Sequence, residues 1–484
     1  MSSERIHIAL KMLSLLVVVQ LLLPGRVPAG EVVTTLDDQV GVAVTIYNQN
    51  VALVKDRRRL ALPAGEVTLA FREVSARMRP ETALLNAKGL AVIEQNFEFD
   101  LLTPESLLRK YVGRRVGVIR RHPTTGAETR REARVLSANN GVVLRFDDGH
   151  IETGVPGRLS FSSVPANLRD RPTLTMLVDN DEKGTKKLEL SYLTSGLRWQ
   201  ADYVAELNAA ENALNLSGWV TLTNKSGATY KNAKLQLVAG DVHQVSPERY
   251  ADNGRRQKLM MEARPAMAPA MAQEDLFEYH LYTLGRTTTI ADNQKKQVAL
   301  LQASSVPCRK EFLLRGSSYY YRQAYDEIGR KFKVGVFVTI ENSKKNHLGL
   351  PLPKGVVRVY KEDSTGALQF VGEDRIDHMP ENETVRLKLG DAFDLTAARK
   401  QTDFKKIGGD SRYNYIYEAA FEIKLKSAKE EAVEIKVVEP ISGDWEILTE
   451  SHRHQKESSR AVSWLVPVAA KGETVLSYRV RVKY

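Results

Sequence analysis

Apolar and polar residues alternate in short runs over most of the chain, and this alternation limits what the chain can fold into. Leu188, Leu190 and Tyr192, for example, alternate with polar neighbours, and about seven similar runs follow one another between residues 356 and 482. Successive side chains of a strand point to opposite faces, so such runs are typical of half-buried antiparallel strands. The sequence therefore predicts an all-β protein.

The chain has 484 residues, too many for a single hydrophobic core. We predict a multi-domain protein with a β-rich region over residues 30–180, a β-sandwich region over residues 181–320 and a C-terminal immunoglobulin-like β-sandwich over residues 321–484. The last assignment depends on the number and close spacing of the C-terminal strands. That region lacks paired cysteines, so the likeness to an immunoglobulin domain is architectural only.

Residues 104–164 have the pattern of a compact unit inside the first region. A short helix is predicted at the start of this unit, and about five short strands follow it, separated by turns such as Asp147-Asp148-Gly149. Several short strands joined by tight turns are typical of a small SH3-like or Sm-like barrel, which we predict here.

Residues 244–273 break the alternation. Four methionines lie among alanines and prolines in the tract from Met260 to Met271, and such low complexity predicts a flexible loop. A methionine-rich tract is also a soft copper ligand, but no histidine lies among these methionines.

The N-terminus has the three parts of a secretory signal peptide. Basic residues precede the apolar run from Met12 to Leu23, and small residues lead up to Ala29, after which we predict cleavage. A largely apolar run of twelve residues is too short to span a bilayer, although retention as an anchor is the alternative. No later stretch is long enough to span a membrane. We therefore expect an exported protein that is periplasmic, outer-membrane-associated or secreted.

Charge and cysteine content narrow the ligand classes. Cys308 is the only cysteine, which excludes an intrachain disulfide and a multi-thiolate metal site and favours a buried, inert thiol. The chain carries a formal net charge of +11, and loss of three basic residues and one acid with the signal peptide leaves about +9. This excess favours an anionic partner such as lipid headgroups or acidic glycans. Export makes nucleic acid an unlikely partner.

No catalytic constellation assembles from the sequence. The nucleophile elbow, the phosphate-binding loop and the dinucleotide fingerprint are all missing, so catalytic residues stay unknown and no cofactor is predicted. His452 and His454, with Glu450, would share one face of a strand and could hold a metal, but the polar run around them favours a solvated hairpin loop. His378 invites an acid–base role, but its position in a charged turn before Met379-Pro380 favours a residue without catalytic function.

A basic cluster is the strongest candidate binding site. Nine cations lie between residues 109 and 134, and the nearby acidic residues are Glu105, Glu128 and Glu132. Arginine, which suits bidentate recognition of phosphate and carboxylate, predominates. If the cluster binds anions, its arginines should converge on one exposed face. A solvated surface with local glutamate partners is the alternative. The candidate anion-binding residues are Arg114, Arg115, Arg120, Arg121, Arg130 and Arg131.

Several stretches of the chain resemble a known family. Residues 191–203 (SYLTSGLRWQADY), 218–227 (GWVTLTNKSG) and 352–355 (LPKG) are similar to segments of the bacterial family called domain of unknown function 4139. The resemblance covers roughly residues 180–484. It implies a β-sandwich architecture and an exported bacterial protein, and it implies no activity.

These observations favour a non-enzymatic envelope protein that acts in binding or assembly. Its partner would be another envelope protein, an anionic envelope polymer or a lipid headgroup. The alternative is a hydrolase or other enzyme that acts on cell-envelope or extracellular glycans. Such an enzyme should have a deep pocket ringed by carboxylates or histidines.

Overall fold

The computed structural model describes residues 29–98, 101–155, 157–165, 168–240, 242–243, 271–276, 279–325, 328–409 and 412–484. Strands make up about 66% of the structure and helix about 5%, which confirms the all-β, multi-domain prediction. The predicted signal peptide lies outside the described residues. So does the predicted loop over residues 244–273, except for its last three residues, which belong to a strand. Within the described ranges, no helix is long and apolar enough to cross a membrane.

The first twelve strands lie before residue 181. They are β1 (Ala29–Thr34), β2 (Gln39–Tyr47), β3 (Val51–Leu62), β4 (Gly65–Arg72), β5 (Leu84–Asn86), β6 (Leu90–Glu98), β7 (Arg115–Arg121), β8 (Glu128–Ser137), β9 (Val143–Phe146), β10 (Ile151–Thr153), β11 (Arg158–Ser160) and β12 (Thr173–Asn180). One α-helix, α1 (Pro104–Lys110), precedes β7. Short 3-10 turns occur at Leu36–Asp38, Pro80–Thr82, Ser318–Tyr321 and Lys344–Asn346.

The later strands are longer on average. They are β13 (Gly184–Ser195), β14 (Leu197–Leu207), β15 (Ala213–Asn224), β16 (Tyr230–Ala239), β17 (Met271–Leu276), β18 (Tyr279–Leu284), β19 (Thr288–Ile290), β20 (Gln294–Arg315), β21 (Gly329–Glu341), β22 (Gly355–Glu362), β23 (Leu368–Ile376), β24 (Thr384–Gly408), β25 (Ile416–Ser427), β26 (Val433–Pro440), β27 (Asp444–Glu450), β28 (His454–Ser458), β29 (Ala461–Val468) and β30 (Glu473–Lys483).

Two sheets contain most of the N-terminal strands. A four-stranded sheet has the order β1-β4-β12-β6, and an eight-stranded sheet runs β17-β18-β16-β2-β3-β13-β5 with β19 beside β16. Arg58 of β3 is fully buried and joins the two sheets. Its guanidinium donates to the carbonyls of Thr34 (2.9 Å) and Arg72 (2.9 Å), at the ends of β1 and β4, and to the Asp56 carboxylate (2.8 Å). A buried cation with all these partners offsets much of its desolvation cost.

Residues 101–165 contain a five-stranded antiparallel sheet with a core of its own. The strand order is β10-β9-β8-β7-β11, and Val118, Leu144 and Phe146 are among its buried side chains. Where the sequence predicts a small barrel, this sheet stays open. Its edge strands β10 and β11 have three residues each and do not pair with one another.

A thirteen-stranded sheet dominates the C-terminal half. Its main path is β23-β22-β14-β15-β20-β21-β24-β25-β30-β27, with β26, β28 and β29 attached beside β20. A second hydrophobic core takes all its buried members from residues 312–482. Arg399 and Glu439 form an ion pair (2.5 Å) inside this core. Strands from both sides of residue 320 pair in this sheet, β14 with β22 and β20 with β21. The predicted domain boundaries stay predictions.

The parallel pairing of β14 with β22 joins segments that are far apart in the chain. Ala201 lies opposite Gly355, and the buried Tyr203 hydroxyl donates to the carbonyl of Pro353 (2.7 Å). A Cβ atom added at Gly355 would lie 2.3 Å from the Ala201 carbonyl oxygen. Only glycine therefore permits this close approach of the two backbones.

We expect Gly355→Ala to destabilise the protein by about 1–3 kcal/mol, because the added methyl group forces backbone rather than a flexible side chain to move. Gly184→Ala is the matched control, since Gly184 starts a strand and a Cβ atom there would meet nothing within 4 Å. Urea denaturation of both variants measures the difference. Equal midpoints for the two variants would contradict this account of the strand pair.

Candidate functional site

The small five-stranded sheet has one face that carries a row of arginines. Arg115 of β7 lies directly opposite Arg134 of β8, and Arg134 lies directly opposite Arg145 of β9. All three side chains are exposed. They point away from the core of this unit, because Val116, Ala133 and Leu144, their sequence neighbours, point into it. We call Arg115, Arg134 and Arg145 the arginine row.

Few carboxylates neutralise the arginine row. Arg115 pairs with Asp147 (Nη2 to Oδ1, 3.1 Å). Arg134 and Arg145 have no ion-pair partner in the part of the chain that the structure describes. Like charges directly opposite one another on neighbouring strands destabilise a sheet. The arginine row therefore carries excess positive charge, and the repulsion between its side chains destabilises the sheet.

Three further arginines share this face. Arg130 pairs with Glu132 (3.1 Å) and Arg158 with Glu128 (2.6 Å), while Arg121 has no carboxylate partner among the described residues. The face as a whole thus presents six arginines against two glutamates of its strands. Of the predicted anion-binding residues, Arg115, Arg121 and Arg130 lie here.

Arg120 and Arg131 lie on the opposite face of the same sheet. Both guanidiniums stack on the ring of Phe146, at 5.7 and 4.7 Å from its centroid. Arg120 donates to Glu152 (2.5 Å) and Arg131 to Asp148 (2.6 Å). These two predicted residues therefore cover the end of the small core, and the expectation that the predicted arginines converge on one exposed face is wrong. Arg114 precedes β7 and stacks over Tyr111 (5.8 Å).

His150 completes this charged cap over Phe146. Its ring is parallel to the Phe146 ring at a centroid distance of 4.6 Å. Nε2 lies 3.1 Å from Glu152, and Nδ1 contacts Asp148. Both ring nitrogens must donate to make these contacts, so the arrangement favours the imidazolium. Hydrogen bonds to Glu152 and Asp148 raise the pKa of His150, and Arg131 and His150 lower the pKa of Asp148 to about 2.

A cleft of about 760 Å³ lies on the large sheet where β14, β22 and β23 meet. Its lining includes three cations and three carboxylates, and sequence reasoning did not find it as a site. The charged lining residues are Lys354, Arg358, Arg375, Glu373, Asp374 and Asp377.

Arg358 and Asp202 organise the charges beside this cleft. Arg358 contacts Asp202 through Nη1 (3.2 Å) and Glu373 through Nε (3.2 Å). The Thr221 hydroxyl donates to Asp202 Oδ2 (2.7 Å), and Gln200 donates to the same oxygen (3.3 Å). Burial by itself would raise the pKa of Asp202, but the hydrogen bonds from Thr221 and Arg358 outweigh it and lower the pKa. Asp202 is therefore held as a carboxylate.

The predicted histidine sites take different places. His378 Nδ1 accepts from the backbone N–H of Lys354 (3.3 Å), next to the cleft but not in its lining. His454 lies 2.9 Å from Glu450, and Glu450 also accepts from the Trp464 indole (2.9 Å). The loop expected around these histidines is partly strand, since His454–Ser458 forms β28 against β29. No group of three metal-ligating side chains occurs in the described ranges.

Cys308 is half-buried, and burial raises the pKa of its thiol to about 11. A thiol with so high a pKa is protonated at neutral pH, so it is a poor nucleophile. This agrees with the inert thiol expected from the sequence.

The fold and its surfaces define an all-β protein of several sheets with a cationic face on one sheet and a charge-balanced cleft on another. The chain belongs to the family Domain of unknown function (DUF4139), whose sequence profile matches residues 188–484. This confirms the resemblance seen in the sequence. No curated protein matches the chain. The matched region contains every residue of the cleft lining, whereas the arginine row lies before it.

The cap over Phe146 generates a prediction for pH dependence. We expect the pKa of His150 to lie above its ordinary value of 6.5, and Asp148→Asn to lower it by removing one carboxylate. Because the folded-state pKa is raised, the stabilisation by the imidazolium is complete below about pH 6.5 and is lost as pH rises through the folded-state pKa. NMR titration of the imidazole checks both values. An unchanged pKa in Asp148→Asn would show that the contact is not formed in solution.

Proposed function

We propose that this protein is an exported, non-enzymatic binding module of the bacterial cell envelope, which holds arrays of anionic groups on its arginine row. The observation that carries the proposal is the cross-strand pairing of Arg115 with Arg134 and of Arg134 with Arg145. Side by side, these cations repel one another, and only Arg115 has a carboxylate partner among the described residues. A bound anion would supply the charge that the sheet lacks.

The geometry of the row favours phosphate or carboxylate groups in an extended array. Arginine offers parallel N–H donors that match both groups bidentately. The row spans three neighbouring strands, so its ends are about 10 Å apart. An open sheet face of this kind suits a repeating polyanion or a lipid surface better than a single small molecule. Both ligand sources belong to the cell envelope, to which the N-terminal signal sequence would direct the chain.

The alternative is an enzyme that acts on glycans, and the cleft on the large sheet is the place to look for it. Two of its three carboxylates are already engaged, Glu373 with Arg358 and Asp374 with the backbone N–H of Lys388 (2.7 Å). A glycoside hydrolase needs two carboxyl groups free to face the scissile bond. The engaged carboxylates favour ligand binding over acid–base chemistry at this cleft.

We expect the double variant Arg134→Thr/Arg145→Thr to bind polyanions about tenfold more weakly or worse, because it removes the two members of the arginine row that have no carboxylate partner among the described residues. The same variant should unfold at equal or higher urea, since like charges directly opposite one another on neighbouring strands destabilise a sheet. Lys231→Thr/Lys234→Thr is the control. It removes the same charge from exposed positions of β16.

Binding is measured by co-sedimentation with vesicles of phosphatidylglycerol and phosphatidylcholine, and separately by titration with alginate, a soluble polycarboxylate. Binding to vesicles alone identifies a lipid surface as the ligand, and binding to alginate alone identifies an acidic polysaccharide. Equal binding by the two double variants would overturn the proposal. So would binding that is indifferent to added salt, since exposed charges are screened by ions.

A further inference from the structure

Trp219 is a large aromatic side chain on the solvent face of a central strand. It lies in the middle of β15, between β14 and β20, and is 41% exposed. The structure gives its indole Nε1–H no hydrogen-bond partner among the described residues. Its neighbours Gly218 and Val220 point into the protein. Core packing therefore does not account for this tryptophan.

The neighbours of Trp219 leave its ring open to a ligand. Asp202 lies directly opposite on β14, and Ala299 lies opposite on β20. The small side chain of Ala299 leaves one side of the indole uncovered. Thr221, two residues along the same face, accepts from Gln297 (3.1 Å) and donates to Asp202 (2.7 Å). An apolar ring thus stands beside a network of fixed polar groups.

The surface beside Trp219 continues across the next strands to the cleft, whose lining does not itself include Trp219. Asp202 lies opposite Val356 of β22, and Val356 lies opposite Arg375 of β23, so the four residues form one line across the sheet. Val356 and Arg375 line the cleft, as does Gln200 next to Asp202. Trp219 and Val356 are two strand spacings apart, about 10 Å. We call Trp219, Asp202, Val356 and Arg375 the aromatic line.

Charge on this surface differs from charge on the arginine row. The cleft lining has three cations against three carboxylates, and Asp202 is already paired with Arg358. Such a surface gives neither a polyanion nor a polycation an electrostatic advantage. Its ligand must therefore be recognised by hydrogen bonds and by apolar contact.

We propose that the aromatic line binds a neutral oligosaccharide. A sugar ring presents a flat C–H face that suits an exposed indole, and hydroxyl groups around its rim. Asp202 accepts three hydrogen bonds in the structure, and a carboxylate has about four acceptor sites, so one is left for a hydroxyl. The free indole N–H, the Gln200 amide and the Arg375 guanidinium supply donors. This site is separate from the anion-binding face and goes beyond the proposed function.

The test uses neutral hexasaccharides of glucose, mannose, galactose and N-acetylglucosamine, added to the purified protein at up to about 10 mM, where even weak binding is seen. Saturation-transfer NMR and tryptophan fluorescence report the contact. We expect Trp219→Ala to weaken binding of at least one of them about tenfold or more, and Gln200→Ala to weaken it less. Phe393→Ala is the matched control, since Phe393 is 97% exposed on β24 and does not line the cleft.

Two results would overturn the proposal. One is that none of the hexasaccharides binds, and the other is that Trp219→Ala binds as well as the unaltered protein does. The anion-binding proposal is tested by different variants and ligands, so the two can fail separately. Suppose that alginate binds, that no hexasaccharide does, and that Arg134→Thr/Arg145→Thr abolishes alginate binding. The anion-binding proposal for the arginine row would then stand, and the oligosaccharide proposal for the aromatic line would be wrong.

Discussion

The parallel pairing of β14 with β22 is the contact on which the large sheet and its cleft depend. It joins segments about 150 residues apart, and the Tyr203 hydroxyl fixes their register by donating to Pro353. Gly355 permits the approach, because any side chain there would collide with the Ala201 carbonyl. Without this pair, Arg358 could not reach Asp202, and the lining from β22 and β23 would lie beside a different strand.

Some arginines of this protein stabilise the fold and others contribute surface charge. The two groups differ in the burial of the side chain and in whether it pairs with a carboxylate. Arg58 and Arg399 are buried, and each is held by a carboxylate, so they fix sheets and cores in place. Arg120 and Arg131 lie on the core side of the small sheet and are paired as well. Arg134 and Arg145 are exposed, adjacent and without carboxylate partners among the described residues. The charges of Arg134 and Arg145 therefore stabilise no carboxylate of the described residues.

Much of the fold could be predicted from the sequence, but the sites could be predicted only in part. Alternation fixes which side chains of a strand share a face, so the separation of Arg120 from Arg115 and Arg121 could have been read along β7. The register between strands is set by turns and by packing, and no local pattern places Arg145 beside Arg134. Pairing of β14 with β22 is still less accessible, because it depends on contacts between distant segments. The quoted stretches 191–203, 218–227 and 352–355 all contribute to one surface, which only the folded chain makes visible.

The arginine row and the aromatic line would attract a ligand over different distances. This difference decides which of the two surfaces acts first when a ligand approaches. Attraction to the arginine row extends over about 8–10 Å at physiological ionic strength, so it operates before contact and weakens as salt is added. Stacking on Trp219 needs direct contact and depends on apolar area rather than on charge. A polymer that carries both anionic groups and neutral sugar rings would therefore be captured by charge and then held by the aromatic line. Salt would slow the first step and leave the second almost unchanged, because the cleft has no net charge to screen.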